Sequence, residues 1–309
     1  MNIVFVDAYS AGEVDLSGLA ALGTLICYDQ TEPHEIVARC ADADVVITNK
    51  VAFFEQEISN LPNLKLICIA ATGMNNVDLA YAAERGVAVK NVANYSTESV
   101  AQTTFALALG LLQSTSYYDN YVKSGCYTQS GVFTHHGRPF SELKGKQWGI
   151  IGLGNIGRRV AEIAQVFGAE VSYYSTSGKN STTDYPQKSL ENLLQGSDIV
   201  SIHSPLNEQT KNLLGYTQLC LMKPTSLLIN VGRGGIVVEA DLAQALRENR
   251  LAGAGLDVFE QEPIQADNPL LEPDIAEKLL LAPHIAWASK ESRQRLIDKI
   301  CENIENFRR

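Results

Sequence analysis

The stretch QWGIIGLGNIGRRVAEIAQVFGAEVSYY, residues 147–174, constrains the fold more than any other part of the chain. An apolar run meets a turn with glycines at 152, 154 and 157. Ile156, Val160, Ile163 and Phe167 then recur at helical spacing before Gly168, a C-cap candidate. A second apolar run closes the unit. Gly152 permits the tight turn, Gly154 lets a pyrophosphate approach the backbone, and Gly157 lets helix and strand pack closely. The bland alternative is a turn that merely happens to be rich in glycine, but the strand–turn–helix–strand context favours a dinucleotide site. Where such a unit usually carries an Asp or Glu for the adenosine ribose, this one has Ser175, Thr176 and Ser177.

The same rhythm runs through the rest of the chain. NIVFVDA, GTLICYD, DVVITNK, LKLICIAATG and GVAVKNV alternate with helical patterns before residue 95, and QWGIIGLG, EVSYYS, DIVSIHSP, SLLINVGRGG, AGAGLDVFE and KLLLAPHIAW do so after it. This is the pattern of parallel α/β sheets. Between the two series, STESVAQTTFALALGLLQSTSYY reads as one long apolar helix with Ser96 or Thr97 as N-cap and Glu98 in its first turn. Residues 288–309 read as an amphipathic helix with Leu296, Ile300, Ile304 and Phe307 on one face. A length of 309 residues suggests two domains, and with no repeat or Pro/Ser-rich tract any boundary is expected to be a hinge.

Composition excludes several classes. A net charge of −10 with no basic run longer than a pair argues against a nucleic-acid partner. The six cysteines contain no C-x-x-C pair and are expected to be reduced and mostly buried. The N-terminus reads as a first strand rather than a signal peptide, and no apolar run reaches the roughly 18 residues of a membrane helix. The expectation is a soluble cytoplasmic protein with no membrane partner. His135 and His136 have no acid at ligand spacing and read as a solvated loop, so no metal site is indicated. Tyr117, Tyr118 and Tyr121 read as helix packing.

Three further segments carry chemistry. In NVGRGGIV, Arg233 stands among glycines at a strand end, where a guanidinium fork could bind a carboxylate bidentately; a surface arginine is the alternative. LDVFEQEP carries Asp257, Glu260 and Glu262, and APHIAW carries His284. Alone, His284 reads as a buried histidine and Glu262 as a loop acid. In the order Arg, Glu, His, each at a strand end, they suggest a proton donor held by a carboxylate beside an anion-binding arginine.

In these segments, and in AATGMNNVDL, NYSTESVAQTTFAL, LMKPTSLLINVGRGGIV and APHIAWASKESRQRL, the whole chain resembles the D-isomer-specific 2-hydroxyacid dehydrogenases, closest to the glycerate dehydrogenase (hydroxypyruvate reductase) branch. The resemblance implies two doubly wound α/β domains: a Rossmann NAD(P)-binding domain (98–287) inserted in a flavodoxin-like substrate domain (1–97, completed by 288–309). It implies a catalytic set of Arg233, Glu262 and His284, with domain closure excluding water. The substrate carboxylate would meet the backbone N–H groups of Thr72, Gly73 and Met74. The dinucleotide would meet Gly152, Gly154, Asn155, Ile156 and Gly157 at its pyrophosphate and His203, Ser204 and Pro205 along its adenine. Val231 and Gly232 would also touch it, with Asp257 at the nicotinamide carboxamide. Family members are usually dimers built on the nucleotide domain. Hydroxypyruvate and glyoxylate are the implied substrates; an NAD(P)-sensing protein akin to the related corepressors, or a phosphoglycerate dehydrogenase, are the alternatives. Ser175 removes the carboxylate that would repel a 2′-phosphate. Thr176 and Ser177 offer hydroxyls and Lys179 a charge, but no arginine is present, so NADPH use or dual specificity is favoured over strict NADH.

Overall fold

The structure is a computed structural model that describes residues 1–179 and 182–308. The chain forms two compact units, Met1–Ser96 with Trp287–Arg309, and Thr97–Ala286.

In the first unit the strands are β1 (Asn2–Phe5), β2 (Thr24–Cys27), β3 (Val45–Thr48), β4 (Leu66–Ile69) and β5 (Ala88–Lys90). They pair in parallel in the order β2-β1-β3-β4-β5. Helices cover both faces, so apart from Asn2 and Thr48 at strand ends the central strands β1, β3 and β4 are apolar in continuous runs rather than alternating. Ile3, Phe5, Val45, Ile47, Leu66 and Cys68 face one side with Leu296, Ile297, Ile300 and Ile304. Val4, Val6, Val46, Ile67 and Ile69 face the other with Ile36, Ile58 and Ala82. The helix that supplies the C-terminal residues runs Lys290–Arg308. Its buried stripe begins at Ser292 and includes Ile297, whereas Phe307, on the same face in the last turn of the helix, is 38% exposed. Truncating the fully buried Ile300 to Ala is expected to destabilise the protein by about 2–5 kcal/mol, and Phe307→Ala by less than about 1, in urea unfolding. Equal effects would mean that the stripe is misplaced.

In the second unit the strands are β6 (Gln147–Ile151), β7 (Glu170–Tyr174), β8 (Ile199–Ile202), β9 (Leu227–Asn230), β10 (Gly253–Leu256) and β11 (Leu279–Leu281), all parallel, in the order β11-β10-β9-β8-β6-β7. The order reverses direction at β6, between β7 and β8. One face packs Ile151, Val200, Ile202, Leu228 and Leu256 against Leu193, Leu219, Leu242 and Leu246. On the other lie Trp148 and Ile150, with Phe105 4.8 Å from the Trp148 ring.

Two helices here depart from the expected pattern. The long apolar helix ends at Leu112, and a second starts at Thr115 after a left-handed Ser114 (φ 51°). Thr115 Oγ1 donates to the Gly110 carbonyl at 3.3 Å, the local hydroxyl-to-backbone competition that ends helices. In helix Asn155–Val166 the buried positions are Gly157, Val160, Ala161 and Ala164, because close approach to the sheet selects small residues. Phe167 is 47% exposed and stacks on Phe105 instead, 5.6 Å between centroids.

The cysteines also differ from expectation. All six are free, but only Cys40 and Cys68 are buried; Cys27, on edge strand β2, and Cys126 are exposed. Burial pushes the Cys40 and Cys68 thiols up to about 12, which leaves them inert. Among the described residues no helix is long and apolar enough to cross a membrane.

Candidate active site

His284 follows β11 and Glu262 follows β10, and the structure joins them: His284 Nδ1 lies 2.7 Å from Glu262 Oε2. Glu262 Oε1 accepts the Phe259 N–H at 3.1 Å, so one oxygen is tied to its own loop and the other to the imidazole. A carboxylate only accepts, so Nδ1 carries the hydrogen and Nε2 is the nitrogen left to exchange a proton.

His284 itself has φ 54°, a left-handed conformation that a non-glycine residue holds only when its surroundings enforce it. Asp257 supplies the constraint. It is 1% exposed, its carbonyl accepts the His284 N–H at 2.8 Å, and its two carboxylate oxygens accept the Ile285 and Ala286 N–H groups, each at 2.8 Å. Burial pushes the Asp257 carboxyl above the usual carboxylate range, with the two backbone bonds pulling the other way. The loop bearing Glu262 is latched as well. Glu239 N–H donates to Glu260 Oε1 (2.9 Å), Glu260 N–H to Glu239 Oε1 (2.6 Å), and Asn268 Nδ2 to Glu239 Oε2 (2.5 Å). Glu239 and Asn268 are not apparent from the sequence, because the partners lie 21 and 29 residues away.

Arg233 follows β9, the strand next to β10, so the three candidate catalytic residues leave three neighbouring parallel strands at their carboxyl ends. Its turn is clamped by the buried Asn230, whose Oδ1 accepts from Gly232 N–H and whose Nδ2 donates to the Arg233 carbonyl, both at 3.0 Å. Sequence reasoning missed this residue too. At Gly234 a Cβ would come 1.7 Å from the Phe259 carbonyl oxygen, so only glycine lets the arginine turn lie against the loop that leads to Glu262. The Arg233 side chain is exposed, with Nη1 donating to the Gly232 carbonyl at 2.8 Å.

The glycine turn lies at the reversal of strand order, where open α/β sheets bind ligands. Gly152 has φ 93°, and a Cβ on Gly157 would sit 2.3 Å from the Gly152 carbonyl oxygen. Gly154, at the N-cap of the helix starting at Asn155 and Ile156, brings no side-chain oxygen to the first turn. Among the described residues, four buried side-chain polar atoms lack a partner, and three of them flank this crevice: Ser175 Oγ beyond β7, and His203 Nδ1 and Ser204 Oγ beyond β8. Ser204 also lines Gly152, whose Cβ would lie 2.9 Å from its nitrogen, and Gly232, whose Cβ would lie 3.0 Å from its carbonyl oxygen. Unsatisfied buried polar groups are costly, and their convergence fits a polar ligand such as a dinucleotide. The corresponding reversal in the first unit, between β1 and β3, is filled by the protein itself. There Asp7 accepts the N–H groups of Asn49, Lys50 and Val51 at 2.6–3.1 Å.

Beyond Ser175, Thr176 is half-buried and Ser177 and Lys179 are exposed; Ser177 Oγ accepts the Lys179 N–H at 3.2 Å. Val231 is buried, and Pro205 is exposed. In the first unit, the loop after β4 is held through its carbonyls: Asn91 Nδ2 donates to Thr72 O (2.7 Å) and Val77 N–H to Met74 O (3.2 Å). None of the described residues accepts from the N–H groups of Thr72, Gly73 or Met74. His135 is not a solvated loop residue. It stacks flat on Tyr121, 3.7 Å and 6° apart, and lies 2.9 Å from the Tyr117 hydroxyl, so the tyrosines pack the 133–140 loop. No group of three His, Cys, Asp or Glu that could hold a metal occurs among the described residues.

Residues 105–286 match the family described as D-isomer specific 2-hydroxyacid dehydrogenase, NAD binding domain. The chain is 37% identical to a hydroxypyruvate reductase of Blautia hydrogenotrophica, over 99% of this chain and 97% of that protein. It is 38% identical to a glycerate dehydrogenase of Methylorubrum extorquens, over 91% of this chain and 88% of that protein. A solved NADPH-dependent glyoxylate/hydroxypyruvate reductase from Sinorhizobium meliloti, in complex with NADP and malonate, has a TM-score of 0.81 at 27% identity, covering 98% of this chain and 92% of that one.

Proposed function

Because the chain belongs to the D-isomer-specific 2-hydroxyacid dehydrogenases, an oxidoreductase family that uses NAD(P), we propose that it reduces a small 2-oxo acid, with hydroxypyruvate and glyoxylate the favoured substrates. The observation that carries this is the His284–Glu262 pair, 2.7 Å apart, on strand ends adjoining that of Arg233. The dinucleotide, when bound, supplies the hydride. Arg233 binds the substrate carboxylate and carbonyl oxygen and polarises the latter. His284 Nε2 gives a proton to that oxygen as negative charge develops on it. Glu262 keeps Nδ1 as the donor towards itself, which leaves Nε2 as the nitrogen that exchanges the proton. The free N–H groups of Thr72, Gly73 and Met74 receive the substrate carboxylate. Asp257 holds the His284 turn, and the second lone pair of each oxygen is left for the nicotinamide carboxamide. Steady-state assays of a panel of 2-oxo acids with NADH and NADPH test the reading, and no turnover of any member would overturn it.

The cofactor preference follows from position 175. The reading assigns Gly152, Gly154, Asn155, Ile156 and Gly157 to the pyrophosphate, His203, Ser204 and Pro205 to the adenine side, and Val231 and Gly232 to the same crevice. With Ser175 in place of a carboxylate and Lys179 nearby, NADPH or both dinucleotides are accepted. Ser175→Asp is expected to shift the kcat/KM ratio towards NADH by about tenfold or more, and Lys179→Ala to weaken NADPH far more than NADH. A wild-type enzyme inactive with NADPH would end this assignment.

A cytoplasmic homodimer built on the nucleotide-binding unit completes the reading. In that unit Phe133 is 91%, Val166 87% and Phe140 61% exposed, apolar side chains that a second copy would cover. Sedimentation should show a dimer that Phe133→Glu weakens; a wild-type monomer would remove this element.

A further inference from the structure

Trp148 on β6 and Ser201 on β8 are both fully buried, and β6 and β8 pair with Ile150 opposite Ser201. Alternate strand residues share a face, so Trp148 and Ile150 stand on the same side of the sheet as Ser201 and His203. Trp148 Nε1 lies 2.9 Å from Ser201 Oγ, and Ser201 Oγ lies 3.0 Å from His203 Nε2. The proton inventory gives this chain a direction. An indole N–H can only donate, so it takes a lone pair of the hydroxyl. The hydroxyl has one proton, and among the described residues its remaining partner is His203 Nε2. Were that nitrogen to donate instead, the buried hydroxyl proton would be left without an acceptor, which is costly, so the nitrogen accepts and a neutral ring carries its hydrogen on Nδ1. The ring is neutral because burial pushes His203 down to about 3. His203 Nδ1 is shut off from water and has no partner among the described residues, as is Ser204 Oγ beside it.

We propose that Trp148 and Ser201 set the tautomer of His203, making its Nδ1–H a fixed donor to an acceptor atom on the adenosine half of the dinucleotide. Trp148 and Ser201 are positioning residues, because they act through His203. The inference rests on the dinucleotide reading above and adds to it a direction of hydrogen bonding that excludes a donor atom at this point. The opposite tautomer would present a bare lone pair and reverse the preference.

Two readouts test it. In the ligand-free protein labelled with 15N-histidine, two-bond 1H–15N correlation should show His203 protonated at Nδ1, and Ser201→Ala or Trp148→Phe should give a mixture of tautomers. In titrations with ADP-ribose and NADH, Ser201→Ala should raise the dissociation constant about three- to tenfold, while reduced nicotinamide mononucleotide, which lacks the adenosine, is unaffected. His203→Asn, whose amide N–H falls near the Nδ1 position, should bind ADP-ribose almost as wild type, and His203→Gln should not. This pair decides the matter if Ser201→Ala fails to fold. A wild-type ring protonated at Nε2, or unchanged ADP-ribose affinity in a folded Ser201→Ala protein, would overturn the inference while leaving the dinucleotide reading intact. A wild-type chain that binds neither NADH nor ADP-ribose would overturn that reading and the ligand half of the inference together, the tautomer being read separately.

Discussion

His284→Gln lowers kcat for 2-oxo acid reduction by about 10²–10⁴-fold, the usual contribution of a positioned general acid, with KM changing far less. The amide can still hydrogen bond but has no proton to give as the carbonyl oxygen becomes an alkoxide. Glu262→Gln removes the opposite charge 2.7 Å from Nδ1. A carboxylate can only accept, whereas an amide presents an N–H as readily as a C=O, so the tautomer that leaves Nε2 to exchange a proton is no longer enforced. The Glu262→Gln enzyme is therefore expected to lose about tenfold or more in kcat with little change in KM. Steady-state kinetics of both variants check this. Near wild-type kcat in either variant would remove the pair from proton transfer.

Arg233→Lys keeps the charge and loses the fork, and kcat/KM is expected to fall by about 10²–10³-fold, comparable with removing one preorganised donor from a developing oxyanion. Lysine has a single ammonium, so it cannot hold a carboxylate bidentately and polarise the carbonyl oxygen at once. The turn should survive the substitution, because Asn230 grips it through the Gly232 N–H and the residue-233 carbonyl rather than through the guanidinium. The loss should therefore appear in kinetics with little change in unfolding midpoint. Near wild-type kinetics would show that Arg233 is a surface residue, and equal losses in stability and activity would mean that the side chain supports the turn.

What could be read from the sequence was whatever depends on neighbours within one strand–turn–helix unit. The apolar runs located the strands, since a parallel sheet covered on both faces demands continuous burial. Gly152, Gly154 and Gly157 marked the turn at the reversal of strand order, because a tight turn and close helix packing place glycine at set spacings. Arg233, Glu262 and His284 stood out by chemistry and by their place after successive strands. Other features needed the packed chain. The helix break at Ser114 turns on a hydroxyl reaching one carbonyl, and the small-residue face of helix Asn155–Val166 on its closeness to the sheet, which periodicity alone does not reveal. Asn230, Glu239, Asp257 and the Trp148–Ser201–His203 chain are polar residues whose roles depend on where their partners arrive. Those partners are up to 53 residues away and are delivered by the register of parallel strands. The same rule separates the two crevices. Both sheets reverse strand order, but whether a buried acid such as Asp7 fills the reversal or orphan atoms leave it receptive is decided only when distant strand ends are brought side by side, because a hydrogen bond needs its partner within about 3 Å.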